Sequence, residues 1–247
     1  MRSLTRHGKY INSHIGKAID TYDLIDDGDR ILVAVSGGKD SMTLLSLLKE
    51  RLRWIPVKYE LIACHIRTDF RCGSCTHTKT LTKFFEKLGV KYVFKDVKVL
   101  DGKGKTNCFW CSWNKRKALF ETANELKCNK IAFGHHKDDI VETILMNMFY
   151  KGETAAMNPK QELFKGKIVI IRPLCLVEET SIRLYAKESK LTDKLCRCPF
   201  GADSKRKYMK SLIEDIAKDS PDINIRTNIF NSVTRVKNDY VKLESIS

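Results

Sequence analysis

The chain has 247 residues, of which 43% are hydrophobic, and a formal net charge of +15. Residues 1–7 lack the apolar core of a signal peptide, and no apolar run reaches membrane length, so we expect a cytoplasmic protein with no membrane partner. In that compartment, nine cysteines favour metal binding or catalysis over structural disulfides. The charge excess favours a polyanionic partner, with nucleic acid as the first candidate.

Strands and helices are predicted to alternate along the chain. After a basic N-terminal extension (1–29) with a helix over about 12–22, five strands are predicted at 31–35, 58–66, 91–94, 130–133 and 167–171. Helices are predicted after Ser41, near 77–88, over 109–126, after Asp139 and over 178–189. This alternation predicts an α/β domain over 30–190, with a parallel five-stranded sheet and helices on both faces. The C-terminal segment, 191–247, contains cysteines, a basic helix near 205–210 and a weakly periodic tail after Pro221.

A candidate phosphate-binding loop, Ser36-Gly37-Gly38-Lys39-Asp40-Ser41, lies between the first strand and the following helix. In this arrangement, backbone N–H groups and the positive end of a helix dipole point at an anion. Ser36 and Ser41 can add hydroxyl donors, Lys39 a charge, and Asp40 a carboxylate for Mg²⁺. The loop is not the longer Walker pattern. It resembles the pyrophosphatase loop of the PP-loop ATPases, which cleave ATP between the α and β phosphates, and this resemblance implies an ATP site.

Other polar segments are expected near this loop, because ligands of parallel sheets bind beyond the carboxyl ends of the strands. These segments are 67–75, 102–111 and His135–Asp139. We assign Lys39 and Asp40 catalytic roles and extend the predicted ATP site to four further residues: His65, Gly134, His135 and Asp139. For Asp138 and Asp139, Mg²⁺ binding and helix capping both remain open. The adjacent His135 and His136 are not expected to share a metal, since neighbouring side chains point in different directions.

Six cysteines fall into three pairs that can supply metal ligands: Cys72 and Cys75, Cys108 and Cys111, and Cys196 and Cys198. Four thiols would close a structural zinc site, whereas three would leave one iron of a 4Fe-4S cluster open. The other three lie in apolar contexts and are expected to be buried: Cys64, Cys128 and Cys175. Lys115–Lys117 can offset the charge of a cluster, hold phosphate or form a solvated helix face. Three aromatic residues could either shield a cluster from water or pack in the core: Phe109, Trp110 and Trp113.

Three longer stretches, 15–41, 108–126 and 130–160, resemble the tRNA 2-thiocytidine synthetase family, and 169–173 (VIIRP) continues the likeness. This resemblance implies a cytosolic sulfurtransferase that thiolates cytidine 32 in the tRNA anticodon loop, using ATP, Mg²⁺ and a 4Fe-4S cluster held by three cysteines. It places two cluster ligands on Cys108 and Cys111. The third falls within Cys196-Arg197-Cys198, where the family has two intervening residues instead of one. We favour Cys198, because the following Pro199-Phe200-Gly201 resembles the turn after the third ligand in related RNA-thiolating enzymes; Cys196 is the alternative.

The implied reaction starts with attack of a pyrimidine C2 oxygen on the α-phosphate of ATP, after which sulfur delivered through the cluster replaces the adenylated oxygen. A cysteine desulfurase or free sulfide is the expected sulfur donor, and a homodimer is one candidate assembly. Other functions are a 2-thiouridine synthetase of the same superfamily and a zinc-stabilised RNA-binding module with a degenerate ATP site. An amide-forming ATP pyrophosphatase is disfavoured because it needs no cysteine cluster.

Overall fold

The computed structural model describes residues 4–69, 74–101, 103–191 and 205–237. Its strands are β1 (Arg30–Ala34), β2 (Glu60–Thr68), β3 (Lys91–Val97), β4 (Lys130–Ala132), β5 (Lys160–Leu163) and β6 (Ile168–Ile171). Its helices are α1 (Arg6–Tyr22), α2 (Lys39–Arg51), α3 (Ser74–Leu88), α4 (Cys108–Glu125), α5 (Lys137–Lys151), α6 (Glu179–Glu188), α7 (Lys205–Asp219) and α8 (Ile225–Ser232).

The strands form one six-stranded sheet in the order β3-β2-β1-β4-β6-β5. All neighbouring pairs are parallel except β5 and β6, which pair antiparallel. The prediction of five strands is therefore wrong, although the parallel α/β class is confirmed. Strand β5 was missed because its sequence, Lys-Gln-Glu-Leu, is polar and short, and its side chains are largely exposed on an edge strand.

Helices cover both faces of the sheet. On one face, Leu119 and Ala123 of α4 pack into a buried cluster with Leu32, Ile62 and Ile131 from three strands. Side chains alternate along a strand, so the neighbours of Leu32 in β1 are buried on the opposite face. There, α2 packs against β1 and also contacts α1 and α6. The reversal of strand order explains this arrangement, because right-handed crossovers place α2 and α4 on opposite faces.

Several helix boundaries differ from the prediction because of local capping. Helix α1 begins at Arg6 instead of residue 12, since the Thr5 hydroxyl accepts a hydrogen bond from the Gly8 amide at 3.1 Å. The weakly periodic tail contains α8, whose N-cap Asn224 accepts from the Thr227 amide at 2.9 Å. In both cases a single side chain determines where the helix begins.

The chain divides into two compact units: one comprises 1–136 and 158–202, and the other comprises 137–157 and 203–247. The first unit contains the sheet with α1–α4 and α6. In the second unit, α5 packs against α7 and α8. The predicted domain limits at 29/30 and 190/191 stay predictions. Among the described residues, no helix is both long and apolar enough to span a membrane.

A buried ion pair joins the starts of β1 and β4. Lys130 is 3% exposed, and its Nζ lies 2.6 Å from Asp29 Oδ2 and 2.7 Å from Asp26 Oδ2. The Asp29 carboxylate, itself 4% exposed, also accepts hydrogen bonds from Asn129 Nδ2 and from the Asp26 amide, both at 2.6 Å. The hydrogen bond from Lys130 and its charge hold the pKa of the Asp26 carboxyl below its usual value. This network fixes the loop before β1 against β4.

We expect Lys130→Met to lower the free energy of unfolding by about 3–5 kcal/mol, because it leaves the Asp29 carboxylate buried without its cation. The matched control is Lys91→Met, whose ammonium contacts Glu60 at 2.8 Å but is 75% exposed. That change is expected to cost about 0–1 kcal/mol. Urea unfolding of both variants measures the difference, and equal losses would contradict a structural role for the buried pair.

Candidate functional site

The loop between β1 and α2 is shaped by its own hydroxyl groups. Ser41 Oγ donates to the Gly38 carbonyl at 3.0 Å and accepts from the Ser36 amide at 3.2 Å. Ser36 Oγ in turn accepts from the Gly38 amide at 3.3 Å. Gly37 has a φ of +85°, in the left-handed region that favours glycine. Gly38 is the N-cap of α2 and offers no side chain to its first amides, an arrangement suited to binding a phosphate.

Two carboxylates hold Lys39. Its Nζ lies 3.0 Å from Asp40 Oδ1 and 3.0 Å from Glu179 Oε1, and the side chains of Lys39 and Glu179 are each 15% exposed. Burial alone would lower the pKa of Lys39, but the two carboxylates outweigh it and raise the pKa above its ordinary value. Lys39 therefore remains a cation at neutral pH. Glu179 was not predicted from the sequence, because an acidic residue in the first turn of a helix is ordinary.

Gly134, which follows β4, and His65, which lies within β2, are both close to this loop or to the residue before it, and their roles in ATP binding stay predictions. A Cβ on Gly134 would lie 2.9 Å from the Ser41 amide nitrogen, so backbone touches backbone at this position. His65 Nδ1 is 2.6 Å from the Val35 carbonyl oxygen, and the buried His136 has its Nε2 3.9 Å from Asp40 Oδ1. His135 has a different neighbour: its ring stacks on Phe133 at 5.5 Å between centroids. The two adjacent histidine side chains thus contact different residues.

Asp139 belongs to the second unit and is held by arginine. Arg206 Nη1 of α7 lies 2.8 Å from Asp139 Oδ1, and Arg226 Nε of α8 lies 2.8 Å from Asp138 Oδ1. Glu142 is 6% exposed, and burial raises its pKa to about 7 while the Arg206 charge opposes this shift. The sequence motif did not indicate these arginine partners. The role of Asp139 in ATP binding stays a prediction.

Cys108 and Cys111 lie in the first turn of α4. The helix starts there because Asn107 caps it: Asn107 Oδ1 accepts from the Trp110 amide at 2.8 Å, and its carbonyl accepts from the Cys111 amide at 3.0 Å. Cys108 is exposed and Cys111 partly buried. The geometry thus suits two metal ligands from one turn.

The other cysteines divide by burial. Cys64, Cys128 and Cys175 are buried as predicted, and burial raises their pKa values to about 12, 11 and 12. The competing third ligands, Cys196 and Cys198, lie outside the described residues, as do Cys72 and the side chain of Cys75. Within the described ranges, no three side chains of His, Cys, Asp or Glu gather into a metal site. A three-thiol site that includes Cys108 and Cys111 therefore requires a ligand from beyond those ranges.

The aromatic residues around this turn do not pack in the core, so that interpretation of the sequence is wrong. Phe109, Trp110 and Trp113 are 76%, 49% and 56% exposed. The buried face of α4 begins only at Ala118. The first half of the helix therefore exposes aromatic rings to solvent. Exposed apolar surface is energetically unfavourable in water and is typical of a binding surface.

The sheet order and the glycine-rich loop at the N-terminus of α2 define a PP-loop protein, and residues 9–193 match the family model described as a PP-loop domain. The chain belongs to the tRNA-cytidine(32) 2-sulfurtransferase family. It is 39% identical over 218 residues to the Geobacter sulfurreducens member, covering 86% of this chain and 85% of that relative. It is 38% identical over 231 residues to the Syntrophotalea carbinolica member, covering 90% and 87%. Since these relatives are transferases by name, the chain is an enzyme.

Solved structures support the same fold. The U34-tRNA thiolase NcsA from Methanococcus maripaludis, solved with its 4Fe-4S cluster, superposes with a TM-score of 0.73 at 23% identity, covering 99% of this chain and 87% of that one. The NH3-dependent NAD synthetase from Campylobacter jejuni gives a TM-score of 0.50 at 14% identity, with 93% and 94% coverage. At these identities, the comparisons establish the fold alone.

Gly134→Ala is expected to weaken ATP binding at least about tenfold, or 1.4 kcal/mol, because the new methyl group pushes on the Ser41 backbone. Gly16→Ala is the control: its Cβ would meet the Arg51 guanidinium at 3.2 Å, and that side chain can move. Calorimetric titration with a non-hydrolysable ATP analogue measures both variants. Unchanged affinity in Gly134→Ala would show that this contact does not shape the nucleotide site.

Proposed function

We propose that this enzyme replaces the C2 oxygen of cytidine 32 in tRNA by sulfur, in a reaction that consumes ATP. One observation carries the proposal: the Ser36–Ser41 loop follows β1 and the Cys108–Cys111 turn follows β3, and both strands run in the same direction in one sheet. Nucleotide and thiols therefore belong to the same edge of the sheet. The names of the relatives support the substrate, and the net charge of +15 suits a polyanion.

The loop residues serve the first step, adenylation. The cytidine C2 oxygen attacks the α-phosphorus of ATP, a new P–O bond forms, and the bond to the β-phosphate oxygen breaks to release pyrophosphate. The amides at the start of α2 hold the phosphates, and Lys39 stabilises the negative charge that builds on the departing pyrophosphate. To do so, Lys39 exchanges contacts with Asp40 and Glu179 for contacts with phosphate oxygens.

Asp40 is the proposed ligand of Mg²⁺. Its carboxylate is the type of donor that Mg²⁺ prefers, and it is 29% exposed beside the loop. When bound, the metal neutralises phosphate charge. Asp40 then has two tasks, since it also pairs with Lys39 and orients the ammonium group within the loop.

The sulfur comes through a proposed 4Fe-4S cluster. Cys108, Cys111 and one of Cys198 and Cys196 would hold it, and three protein thiols leave one iron open. The exposure of Cys108 and the shared helical turn fit this group. When bound, the cluster would supply sulfur at the sulfide level, which would form the new bond to C2 while the C2–O bond to AMP breaks. A cysteine desulfurase or free sulfide is proposed to reload it, and Lys115–Lys117, further along α4, are proposed to offset its negative charge.

With tRNA, ATP and a sulfide source, we expect 2-thiocytidine at position 32, with AMP and pyrophosphate as by-products. Asp40→Ala is expected to lower kcat by about 10²-fold or more, because it removes a charge that acts on the reacting phosphates. The matched control, Asp215→Ala, changes a 65% exposed carboxylate on α7 and should leave kcat unchanged. Nucleoside mass spectrometry and product chromatography measure the outcome. Release of ADP and phosphate would contradict α,β cleavage, and 2-thiouridine would reassign the base.

Anaerobic purification tests the cluster independently of turnover. Cys108→Ser is expected to lose iron, acid-labile sulfide and the broad visible absorption together, since it removes an exposed ligand. Cys128→Ser is the control, because Cys128 is buried against the core and should leave all three signals intact. Stoichiometric zinc without iron in the unmodified protein would instead favour the zinc-stabilised RNA-binding module.

A further inference from the structure

A cleft of about 560 Å³ opens on the face of the sheet that α4 covers. This volume falls in the range of small-ligand sites, about 300–1,000 Å³. One wall is the middle of α4, and the other comes from the ends of β4 and β6 and from the β5–β6 hairpin. The residues that matter here are Trp113, Arg116, Phe133, His135, Phe164 and Arg172.

Aromatic rings line the cleft. Phe133 and His135 stack with an interplanar angle of 22°, and Phe120 meets Phe164 edge to face at 5.7 Å. Trp113 and Phe164 are 56% and 59% exposed, so their faces are open to a ligand. Phe164 has a φ of +52° because it opens the β5–β6 hairpin turn, in which Lys165 and Gly166 also have positive φ. Flat, exposed rings of this kind bind unstacked nucleobases.

The cleft also contains a buried cation that the fold leaves only partly satisfied. Arg172 is 6% exposed, its Nη1 donates to the Asn158 carbonyl oxygen, and its Nε finds no acceptor among the described residues. Burial lowers its pKa to about 10, and the Arg116 charge adds to this effect, so Arg172 is still charged at neutral pH. The carboxylate at the edge of the cleft, Glu121, lies 3.9 Å from Lys117. A buried guanidinium that has no carboxylate partner in the part of the chain that the structure describes is costly and calls for acceptors on a ligand.

We propose that this cleft binds the target pyrimidine after it leaves the tRNA loop, with its ring stacked on the aromatic residues and its polar edge towards Arg172. Cytosine carries adjacent acceptors at N3 and O2, which match the donors of a guanidinium. Uracil places an N3–H donor there instead. Arg172 therefore contributes to the choice of cytosine over uracil. This inference rests on the proposed function and specifies its substrate subsite.

The position of the cleft agrees with this role. At a rise of about 1.5 Å per residue, Trp113 lies about 3 Å along the axis of α4 from Cys111, and Arg116 about 7.5 Å. On the other side, His135 directly follows Gly134, whose backbone touches the ATP loop. A base in the cleft is thus flanked by the proposed thiol ligands and by the nucleotide loop. The reaction requires both neighbours, because the oxygen on C2 is first adenylated and the C2 carbon is then attacked by sulfur.

Photocrosslinking of the anaerobically purified protein tests the occupant. An anticodon stem-loop with 5-iodocytidine at position 32 is expected to crosslink to Trp113 or Phe164, identified by fragment mass spectrometry. In a parallel arm, 8-azido-ATP is expected to label residues outside the cleft. Labelling of Trp113 by 8-azido-ATP would assign the cleft to adenine and overturn the proposal. A stem-loop crosslink away from the cleft, with thiolation intact, would overturn the proposal and leave the proposed function standing.

Two variants measure the energetic contribution. Trp113→Ala is expected to weaken stem-loop binding by about 5- to 160-fold, the range for loss of one stacked base, with an unchanged ATP dissociation constant. The control is Trp54→Ala, because Trp54 follows α2 and is 66% exposed; this change should alter neither stem-loop affinity nor ATP affinity.

Arg172→Gln is expected to reduce the preference for cytidine over uridine at position 32 at least about tenfold. Wild-type affinity in Trp113→Ala, or an unchanged base preference in folded Arg172→Gln, would overturn the proposal. Unmodified protein that neither binds the stem-loop nor thiolates it would overturn both this inference and the proposed function.

Discussion

The contact between Gly134 and the Ser41 amide is the constraint on which the nucleotide site depends. The end of β4 reaches the first turn of α2 so closely that there is no room for a side chain. This contact lies where the order of the sheet reverses between β1 and β4, the position at which doubly wound folds bind ligands. At the opposite ends of the same strands, Lys130 is buried against Asp29. The two strands are therefore held against their neighbours at both ends, which restricts the loop that joins β1 to α2.

The charge of the lysine in this loop is balanced by two carboxylates. Lys39 is mostly buried, and a buried ammonium group needs compensation, which Asp40 and Glu179 provide. The two carboxylates therefore reduce the free-energy cost of burying the Lys39 ammonium group before a nucleotide binds. In the proposed function, phosphate oxygens replace the carboxylates as partners of Lys39, so that ATP binding would exchange one set of charge-assisted hydrogen bonds for another. Glu179 is a positioning residue in this description, because it contacts Lys39 and acts through it.

The sequence predicted those features that depend on local pattern. The buried parallel strands, the position of Ser36–Ser41 between a strand and a helix, and the burial of three cysteines all follow from runs of neighbouring residues, and the structure confirms them. Strand β5 was missed because edge pairing gives a polar segment no characteristic signal. Glu179 was missed because its partner, Lys39, is distant in the chain and only folding brings them together. The cleft was missed for the same reason, since its walls come from four separate elements.

Helix α4 shows why its sequence was ambiguous. Its N-terminal turn offers two thiols, its middle lines the aromatic and basic cleft, and only its last part, including Leu119 and Ala123, packs against the sheet. A helix that packs along its whole length shows apolar residues at a period of 3.6, whereas α4 mixes exposed aromatic residues with buried aliphatic ones. The exposed aromatic rings interrupt this helical period. From the sequence, shielding of a metal cluster and packing in the protein core were therefore equally good interpretations of these rings. Trp113 is exposed in the cleft that also contains the buried Arg172, which agrees with the proposed role of α4: the helix sets a fixed distance between a base in the cleft and the thiols at its first turn.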